Sequence, residues 1–542
     1  MTEYCVALDI GTSGIRCQLL DAETSETLAT SITVRHPIPG MNVIDHVNFA
    51  MKSGEDVANR LIINVVTRLL GSFDVDLSKV RTMAVCGNPF QLSLFQNIEI
   101  RDLAYAGKSM LRTLGVVSPP RDGEEIAALD LGLGCIPNAT VLIPPAVTHE
   151  IGADAIAMLL ITDVMESKEP CLVVDYGTNA EMALVVDGKV ITGSAAAGPA
   201  LEGQQIDRGM LASPGAIADV NIVEGGWRCT ILDDSMADKE GDVIDPNTGV
   251  TIESGPMHGR AIGITGTGVV STIYCGIESG MVQTPKINNE DGMIHLQDGV
   301  NVVSKDMDEA GKAIGALRAG FLTLLHEAGL WVDDVRLAYM SGASGLYVDA
   351  KKALRIGMVV PGAERIVQFG NTSIELARRL ALEMVRIEDL RAFARELRAS
   401  HCMFATSKVF MDIYGIEYSL WSCGMPISEY NSMMDIYNLP NLPAPKADPS
   451  IKRMSVTDLP HTEKGKVSII DDPGTVLTGR IDGCVMCRMC VKECPERALS
   501  VVEREGGRWG EIRSDRCAGT ACRRCERACP TGVLHITPFV VG

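Results

Sequence analysis

Residues 6–13 read V-A-L-D-I-G-T-S, and residues 172–179 read L-V-V-D-Y-G-T-N. Each stretch is an apolar strand pattern that ends in an aspartate, followed after one residue by Gly, Thr and a small polar residue. A second strand pattern follows each turn, as in a β-hairpin. The two copies lie 166 residues apart. This repeat predicts two similar α/β domains that face each other and that each begin with a hairpin.

The turn after each aspartate has the chemistry of a phosphate-binding loop. Glycine at the tip lets backbone N–H groups approach a phosphate without an intervening side chain, and the hydroxyls add donors. An aspartate at the strand end would direct a hard oxygen ligand at Mg²⁺ or its waters. Asp-x-Gly is also common turn chemistry, so a single copy would predict only a capped turn. The predicted nucleotide-binding residues of the two turns are Gly11, Thr12, Ser13, Gly177, Thr178 and Asn179.

A third glycine-rich turn, S-G-A-S-G at residues 341–345, follows a strand predicted at 337–340. Its backbone would lie against an adenosine, and its predicted binding residues are Ser341, Gly342 and Gly345. Three such turns in one chain predict that the protein binds a nucleotide.

Two further features allow alternative interpretations. Residues 263–268 (G-I-T-G-T-G) fit another phosphate loop or a tight turn that starts a helix. Glu181 is a candidate for orienting water, or an ordinary glutamate on a surface strand.

Eight cysteines near the C-terminus form two matching runs, each followed by a proline. The runs are Cys484-x2-Cys487-x2-Cys490-x3-Cys494 and Cys517-x4-Cys522-x2-Cys525-x3-Cys529. This is the spacing of ferredoxins with two [4Fe-4S] clusters, with two extra residues in the second run. Because the fourth cysteine of each run ligates the other cluster, the predicted ligand sets cross. They are Cys484, Cys487, Cys490 and Cys529 for the first cluster and Cys517, Cys522, Cys525 and Cys494 for the second.

Disulfides and zinc are the alternative uses of these cysteines. A disulfide framework is typical of secreted chains, and no signal peptide is recognisable here. Zinc ribbons use paired C-x2-C knuckles rather than triplets that end in C-P. The pattern therefore favours clusters. Pro495 and Pro530 are each predicted to start a short helical turn that leads into a strand, L-S-V-V and L-H-I-T respectively.

The composition limits the classes of partner. The chain has 542 residues and a net charge of −20, of which the segment from Arg480 onward carries +3 and the rest −23. So acidic a body makes nucleic acid an unexpected partner. No apolar run approaches the length needed to span a bilayer, so no membrane association and a cytoplasmic location are expected.

The three turns resemble the phosphate-1, phosphate-2 and adenosine motifs of the actin, Hsp70 and sugar-kinase superfamily. A closer resemblance is to the ATPase part of the reductive activators of corrinoid proteins. The stretches that carry it are 172–181, 194–203, 305–320, 341–345 and 369–373. Within that family, a C-terminal two-cluster ferredoxin resembles the activators of the methylamine methyltransferase corrinoid proteins of methanogens.

The resemblance implies a two-lobed α/β ATPase with duplicated hairpin domains, followed by a small α+β ferredoxin domain. The first lobe is predicted at residues 1–168 and the second at 169–384. The remainder divides into an extension of helices and strands at 385–438, a Pro-rich linker at 439–470 and the ferredoxin domain at 471–542.

The implied function is ATP-dependent reduction of a corrinoid methyl carrier from Co(II) to Co(I), in methylamine-dependent methyl transfer and methanogenesis. The implied cofactors are two [4Fe-4S] clusters and ATP with Mg²⁺, and a low-potential donor would supply electrons. ATP would close the cleft between the lobes, with Asp9 and Asp175 as catalytic residues that position Mg²⁺ and water. The alternatives are an ATP-driven electron donor to another enzyme, such as a radical dehydratase, a kinase with a regulatory cluster domain, or a non-catalytic actin-like scaffold.

Overall fold

The computed structural model describes residues 2–40, 42–105, 108–177, 179–195, 198–201, 205–439, 441, 448–462, 465–494, 496–536 and 539–541. The strands are β1 (Tyr4–Ile10), β2 (Ile15–Asp21), β3 (Thr27–Thr33), β4 (Val80–Gly87), β5 (Glu124–Ala127), β6 (Thr140–Ile143), β7 (Cys171–Tyr176), β8 (Ala180–Val186), β9 (Lys189–Ala195), β10 (Ala216–Val223), β11 (Gly226–Leu232), β12 (Asp238–Ile244), β13 (Thr251–Glu253), β14 (Gly263–Ile264), β15 (Val282–Gln283), β16 (Lys286–Ile287), β17 (Met293–His295), β18 (Asn301–Val303), β19 (Leu337–Ser341), β20 (Arg365–Gln368), β21 (Ser450–Arg453), β22 (Lys466–Ile470), β23 (Val476–Arg480), β24 (Leu499–Arg504), β25 (Gly507–Arg513) and β26 (Val540–Val541).

The α-helices are α1 (Val43–Ser53), α2 (Glu55–Gly71), α3 (Pro89–Gln96), α4 (Arg101–Ala104), α5 (Lys108–Thr113), α6 (Ala153–Ile161), α7 (Gly198–Leu201), α8 (Gly266–Glu278), α9 (Ser304–Ala328), α10 (Gly342–Tyr347), α11 (Ala350–Arg355), α12 (Thr372–Ala381), α13 (Ile387–Ala399), α14 (Lys408–Cys423), α15 (Ile427–Ile436), α16 (Met489–Lys492), α17 (Gly519–Cys522) and α18 (Arg524–Arg527). The chain forms two compact units. The first unit comprises Met1–Ala157, Ser373–Glu396 and His461–Gly542, and the second comprises Met158–Thr372 and Leu397–Pro460.

The main sheets of the two units repeat one topology. The first has the strand order β22-β3-β2-β1-β4-β6-β5, and the second reads β21-β20-β19-β7-β8-β9. In each, three antiparallel strands joined by hairpins are followed by two strands parallel to the first, β4 and β6 in one and β19 and β20 in the other. The duplicated hairpin domains expected from the repeat are therefore confirmed.

The core of the second unit is built on the long helix α9, which the apolar pattern predicts at residues 305–328, within one residue of the observed bounds. Residues 313–325 of α9 are all buried, so the helix is enclosed on every side there, and glycines allow α14 to approach its backbone closely. A Cβ at Gly311 would lie 2.8 Å from Cβ of Trp421, and a Cβ at Gly315 would lie 3.0 Å from Cβ of Glu417. Residues 385–438, which the sequence left as a mixture of helices and strands, form the helices α13, α14 and α15.

The apolar pattern predicts one long helix at residues 49–70, but the structure forms two. The chain breaks between α1 and α2 at Gly54, whose φ of +106° lies in the region that favours glycine. The apolar face behind the prediction begins only at Val57, in α2, so it carried no information about the segment before Gly54.

Two pieces of the predicted Pro-rich linker are strands. β21 pairs in parallel with β20 of the second unit, and β22 pairs in parallel with β3 of the first unit. Pro440, Pro443 and Pro445 lie outside the described residues.

The C-terminal part forms the small sheet β24-β25-β23-β26. The predicted strand at 499–502 is confirmed as β24, whereas residues 534–536 are not in a strand. The helical turns α16 and α18 precede the fourth cysteine of each run, so the prediction that they follow the prolines is wrong. Each turn ends before that cysteine, because proline disfavours the helical region for the residue before it. Pro495 itself lies outside the described residues. Among the helices of the described residues, none is both long and apolar enough to cross a membrane.

Candidate nucleotide and cluster sites

The first Asp-x-Gly turn joins β1 to β2 in the first unit. Asp9, near the end of β1, is almost fully buried, and its Oδ2 lies 3.6 Å from Nη1 of Arg16 on β2. The same Arg16 nitrogen donates to the backbone oxygen of Gly14 at 3.2 Å. A Cβ at Gly11 would lie 2.8 Å from that guanidinium. The carboxylate of Asp9 therefore has a cationic neighbour within its own hairpin.

The turn also contacts the start of helix α3. Nδ2 of Asn88 donates to Oγ1 of Thr12 at 3.4 Å, and Oδ1 of Asn88 caps α3 by accepting from the amide of Gln91 at 3.0 Å. Gly87 permits this close approach, since a Cβ there would lie 2.7 Å from the backbone oxygen of Ile10. Ser13 lies half-buried in the same turn.

A second carboxyl group, which the sequence did not predict, lies close to Asp9. Asp154 in the first turn of α6 accepts from the amides of Ala155 at 2.9 Å and Gly152 at 3.2 Å. Burial raises the pKa of Asp154 to about 6, and the negative charge of Asp9 adds to the rise. Burial also raises the pKa of Cys86 on β4, with contributions from both aspartates. The carboxyl ends of β1 and β4 therefore meet at a buried acidic pair.

The second Asp-x-Gly turn lies in the second unit and has different neighbours. Oγ of Ser341 donates to Oδ2 of Asp175 at 2.9 Å, and the Ser341 hydroxyl also lies 3.3 Å from that of Thr372. Gly342 has a φ of +81°, and a Cβ there would lie 2.7 Å from Oδ1 of Asp175. The predicted phosphate-2 and adenosine turns therefore meet at Asp175.

Other predicted residues of this turn have less distinctive surroundings. Thr178 lies outside the described residues, and Asn179 is half-buried. Glu181 faces Asp175 directly across the β7–β8 pair, so the two carboxylates share one face of the sheet. Glu181 is 5% exposed, so the interpretation as a surface glutamate is wrong. The position of Glu181 within its strand does not reveal that other elements cover this face of the sheet, so the sequence could not predict its burial.

A cavity that is partly open to solvent lies beside the second turn. Its lining includes Tyr176 and Gly177, Gly266 and Thr267 at the start of α8, and Ser344. Gly345, predicted to bind adenosine, packs close to the Tyr176 ring, since a Cβ there would lie 3.1 Å from Cδ2 of that residue. The cavity thus brings together parts of three glycine-rich stretches that are far apart in sequence: the second Asp-x-Gly turn, residues 263–268 and residues 341–345.

The G-I-T-G-T-G stretch starts a helix. Oγ1 of Thr265 accepts from the amide of Gly268 at 3.1 Å, which caps α8. A Cβ at Gly268 would lie 2.4 Å from the backbone oxygen of Ile217. Gly268 is therefore explained by close packing, and the interpretation of this stretch as a helix start is confirmed.

The eight C-terminal cysteines fall into two neighbouring sets of four. Burial raises the pKa of Cys490, and the thiols of Cys487, Cys529 and Cys484 add to the rise. Burial raises the pKa of Cys517 to about 12, with contributions from Cys525, Cys494 and Cys522. Each set combines three cysteines of one run with the last cysteine of the other.

The second set lines one cavity. Cys494, Cys517, Cys522 and Cys525 are all among the residues of its wall, and the cavity is partly open to solvent. Among the described residues, no three of these thiols lie at the mutual distances that the ligands of one metal ion require. Four thiols around one cavity have the chemistry that a [4Fe-4S] cluster requires.

Three family models match the chain in succession. The RACo middle region matches residues 4–167, the C-terminal ASKHA domain of RACo matches 169–431, and a 4Fe-4S dicluster domain matches 483–533. A protein of Methanosarcina barkeri named Co(II) methylated amine-specific corrinoid protein reductase is 48% identical over 520 residues, which are 96% of each chain. The chain belongs to the RACo family of corrinoid protein activators.

Other RACo-family relatives are more distant. A corrinoid activation enzyme of Eubacterium limosum, RamQ, is 24% identical over 388 residues, 66% of this chain and 60% of that protein. The solved structure of a reductive activator for corrinoid, iron-sulfur protein has a TM-score of 0.56 at 22% identity, and it covers 77% of this chain and 66% of its own. At that identity the structure supports the fold alone.

RACo-family membership confirms which cofactors the domains bind, but it does not assign them to individual residues. The chain has an ATP-binding ASKHA domain and a domain for two [4Fe-4S] clusters. The individual residues that hold them stay predictions. Asn88 and Asp154 lie near the first turn but were not predicted as site residues, because the prediction rested on the repeated Asp-x-Gly stretches and neither residue belongs to them. The Gly87-Asn88-Pro89 sequence, with its helix-cap residue before proline, was the available signal.

Proposed function

We propose that this chain reduces the cobalt of a corrinoid methyl-carrier protein from Co(II) to Co(I), with hydrolysis of ATP to ADP and phosphate. The name and 48% identity of the Methanosarcina relative support a methylated-amine corrinoid protein as the partner. The observation that carries the proposal is that one chain has both duplicated Asp-x-Gly hairpins and two crossed sets of four thiols. A low-potential protein donor supplies the electrons.

The energetics explain why a reductase of this kind needs ATP. An electron moved uphill costs about 2.3 kcal/mol per 100 mV. A gap of a few hundred millivolts between donor and cobalt therefore costs on the order of 5–7 kcal/mol. ATP hydrolysis makes such a reduction feasible when it is coupled to the electron transfer.

The nucleotide roles follow from the surroundings of each turn. In the first unit, the backbone at Gly11 and the hydroxyls of Thr12 and Ser13 bind phosphate, and Arg16 lies close enough to assist. Asp9, with Asp154 beside it, provides carboxylate oxygens for Mg²⁺ or its waters.

In the second unit, Asp175 orients Mg²⁺ or the attacking water, and Ser341 orients its carboxylate by hydrogen bonding. Glu181, on the same face of the sheet, is placed to assist. Gly177, Thr178 and Asn179 contribute phosphate donors. The cavity beside Gly177 accepts the adenosine, and the turn containing Ser341, Gly342 and Gly345 contributes to its lining through Ser344.

The cluster roles follow the two cysteine sets. Cys484, Cys487, Cys490 and Cys529 hold one cluster, and Cys517, Cys522, Cys525 and Cys494 hold the other. When bound, the clusters accept and donate electrons one at a time. The thiolates hold them, and the crossing of Cys494 and Cys529 ties the two halves of the domain together.

The test uses the purified full-length protein under anaerobic conditions with a methylamine corrinoid protein in the Co(II) state and a reductant. The expected result is a spectral change to Co(I) that requires ATP and releases phosphate. Omission of ATP, and replacement by a non-hydrolysable analogue, are the controls. Co(I) formed equally without ATP, or phosphate release without any Co(I), would contradict the proposal.

A further inference from the structure

The two cysteine sets differ in their relation to the rest of the first unit. Cys487 of the first set is exposed to solvent. In the second set, the backbone oxygen of Cys517 accepts from the amide of Gly40 at 2.8 Å. A Cβ at Gly519 would lie 3.0 Å from Cα of Gly40. The loop lengthened by two extra residues between Cys517 and Cys522 is therefore the part of the ferredoxin domain that packs on Gly40.

A short stretch after β3, residues 35–40, makes several polar contacts with the ferredoxin domain. We call it the docking segment. Nη2 of Arg35 lies 2.7 Å from Oε2 of Glu496, which is two residues beyond Cys494. Oγ of Ser514 donates to the backbone oxygen of Pro37 at 2.7 Å. The docking segment thus reaches both runs at the points where they contribute to the second set.

The docking segment contains one member of a buried histidine pair. His36 and His46 stack with ring centroids 4.3 Å apart and an interplanar angle of 26°. Burial lowers the pKa of both, that of His46 to about 4, so the pair is uncharged at neutral pH. Nε2 of Gln91 donates to Nδ1 of His46 at 2.7 Å. A Cβ on Gly40 would lie 3.3 Å from Cδ2 of His46.

Gln91 connects this pair to the first Asp-x-Gly turn. Its backbone amide donates to Oδ1 of Asn88 at 3.0 Å, and Nδ2 of Asn88 donates to Oγ1 of Thr12 at 3.4 Å. A continuous path of contacts therefore runs from Thr12 through Asn88, Gln91 and His46 to Gly40, which is bonded to Cys517. Gln91 and His46 are fully buried, so a shift at either end is transmitted through close packing.

We propose that Gln91 and His46 are positioning residues that couple nucleotide bound at the Thr12 turn to the redox state of the second cluster. The proposal rests on the nucleotide and cluster assignments made under the proposed function. Nucleotide that moves Thr12 and the start of α3 displaces the docking segment and the backbone around Cys517. Hydrogen bonding and solvent exposure around a cluster set its potential, so the cluster responds.

Because of thermodynamic linkage, the coupling can be measured either as a change in cluster reduction or as a change in nucleotide affinity. If nucleotide changes the reduction equilibrium of the cluster by some factor, reduction changes nucleotide affinity by the same factor. For one electron, a tenfold factor equals 59 mV. The coupling can therefore be read as a ratio of dissociation constants.

The experiment measures the affinity of the full-length anaerobic protein for a non-hydrolysable ATP analogue with Mg²⁺, with the clusters oxidised and then reduced. We expect the two dissociation constants to differ by about fivefold or more, a typical coupling. In a cluster titration followed by electron paramagnetic resonance, only one of the two cluster potentials should move on addition of the analogue.

The test variant is the double substitution Gln91→Leu with His46→Phe. It replaces both members of a buried hydrogen bond by apolar groups of similar shape, which leaves neither partner unsatisfied. We expect the dissociation constants for the ATP analogue in the oxidised and reduced protein to become nearly equal. The iron content and the affinity of the oxidised protein for the analogue should stay unchanged. Ser93→Ala is the matched control, since Ser93 is buried on the same helix and bonds Pro89 and Arg121 instead.

The outcomes separate the coupling from the proposed function. Equal affinities in the unmodified protein, equal shifts of both clusters, or a ratio that survives in the double variant each overturn the coupling alone. Failure of the analogue to bind in either redox state overturns the nucleotide assignment and the coupling with it.

Discussion

The two Asp-x-Gly hairpins share a backbone and differ in the groups around their aspartates. In the first unit, Asp9 lies 3.6 Å from the guanidinium of Arg16 and near the buried carboxyl of Asp154. In the second unit, Asp175 accepts a hydrogen bond from Ser341 and lies across the strand pair from Glu181. The repeat reproduces the strand pairing, while the side chains differ both at the position opposite each aspartate and in the elements packed beside it. The two aspartates are therefore expected to have different roles in nucleotide binding and hydrolysis.

The largest expected effects come from removing the aspartates one at a time. Asp175→Ala should lower ATP-dependent Co(I) formation by ~100-fold or more, as removal of one preorganised charged group does in other active sites. The Asp9→Ala protein should lose Co(I) formation to a similar extent, but it should bind nucleotide more tightly in the absence of Mg²⁺, because Arg16 loses its carboxylate and becomes available to phosphate. Co(I) formation followed by absorbance, and nucleotide titration, measure the two quantities.

Asp234→Ala is the control, since that side chain is 81% exposed. Both site variants should retain full iron content. Identical nucleotide affinities for the two variants would remove the distinction between the hairpins, and unchanged Co(I) formation would refute the catalytic assignment.

The next effect concerns glycines near each aspartate. Gly342→Ala combines a φ of +81° with a Cβ 2.7 Å from Asp175, so we expect a loss of roughly 2–3 kcal/mol in the free energy of unfolding. Gly259→Ala has a φ of +72° with open space around it and should lose only the backbone part, about 1–2 kcal/mol. Denaturant unfolding measures both.

Gly11→Ala provides the counterpart in the first hairpin. There the nearest atom, 2.8 Å from the new Cβ, is the guanidinium of Arg16, which can move away. If Gly11→Ala proves as damaging to stability as Gly342→Ala, the first turn is more rigid than its contacts indicate.

A smaller effect depends on pH and belongs to the first hairpin. The pKa of Asp154 is raised from 3.8 to about 6, so the folded state holds its proton more tightly than the unfolded state. Ionised Asp154 therefore destabilises the fold, and this penalty grows as pH rises from 3.8 to about 6 and is constant above. Asp154→Asn removes it and keeps an oxygen for the amides of Gly152 and Ala155.

The stabilisation by Asp154→Asn should consequently grow by about 1–2 kcal/mol between pH 5 and pH 8, at 1.36 kcal/mol per pKa unit. Unfolding curves of both proteins at the two pH values give this difference. A gain that does not depend on pH would show that Asp154 is not the titrating group.

The smallest effect tests the ion pair itself. Arg16 is partly exposed and its nitrogen is 3.6 Å from Asp9, so Arg16→Gln should cost no more than about 1 kcal/mol in unfolding free energy. It should weaken nucleotide binding by a few fold, because phosphate loses a nearby cation. Retained affinity, measured by titration, would place Arg16 outside the phosphate site.

Prediction from sequence succeeded best where a pattern is local. Strand β19 and helix α9 were located within one residue, since each has a sustained period and a clear end. The break at Gly54 was missed because an isolated glycine is tolerated inside a helical pattern and does not by itself predict a break. The helical turns of the ferredoxin domain were placed after the prolines, whereas the structure places them before the fourth cysteine of each run.

The sequence by itself determined the duplicated hairpins and predicted the crossed cysteine sets, because strand period, turn chemistry and ligand spacing are properties of neighbouring residues. Arg16 and Glu181 lie opposite the aspartates on the second strand of each hairpin. Only the tertiary structure decided that Asp154 approaches Asp9 and that Ser341 bonds Asp175, because these residues come from elements that are distant in sequence. It also decided that the longer loop after Cys517 packs on Gly40, because contacts between distant residues follow from the packing of whole elements.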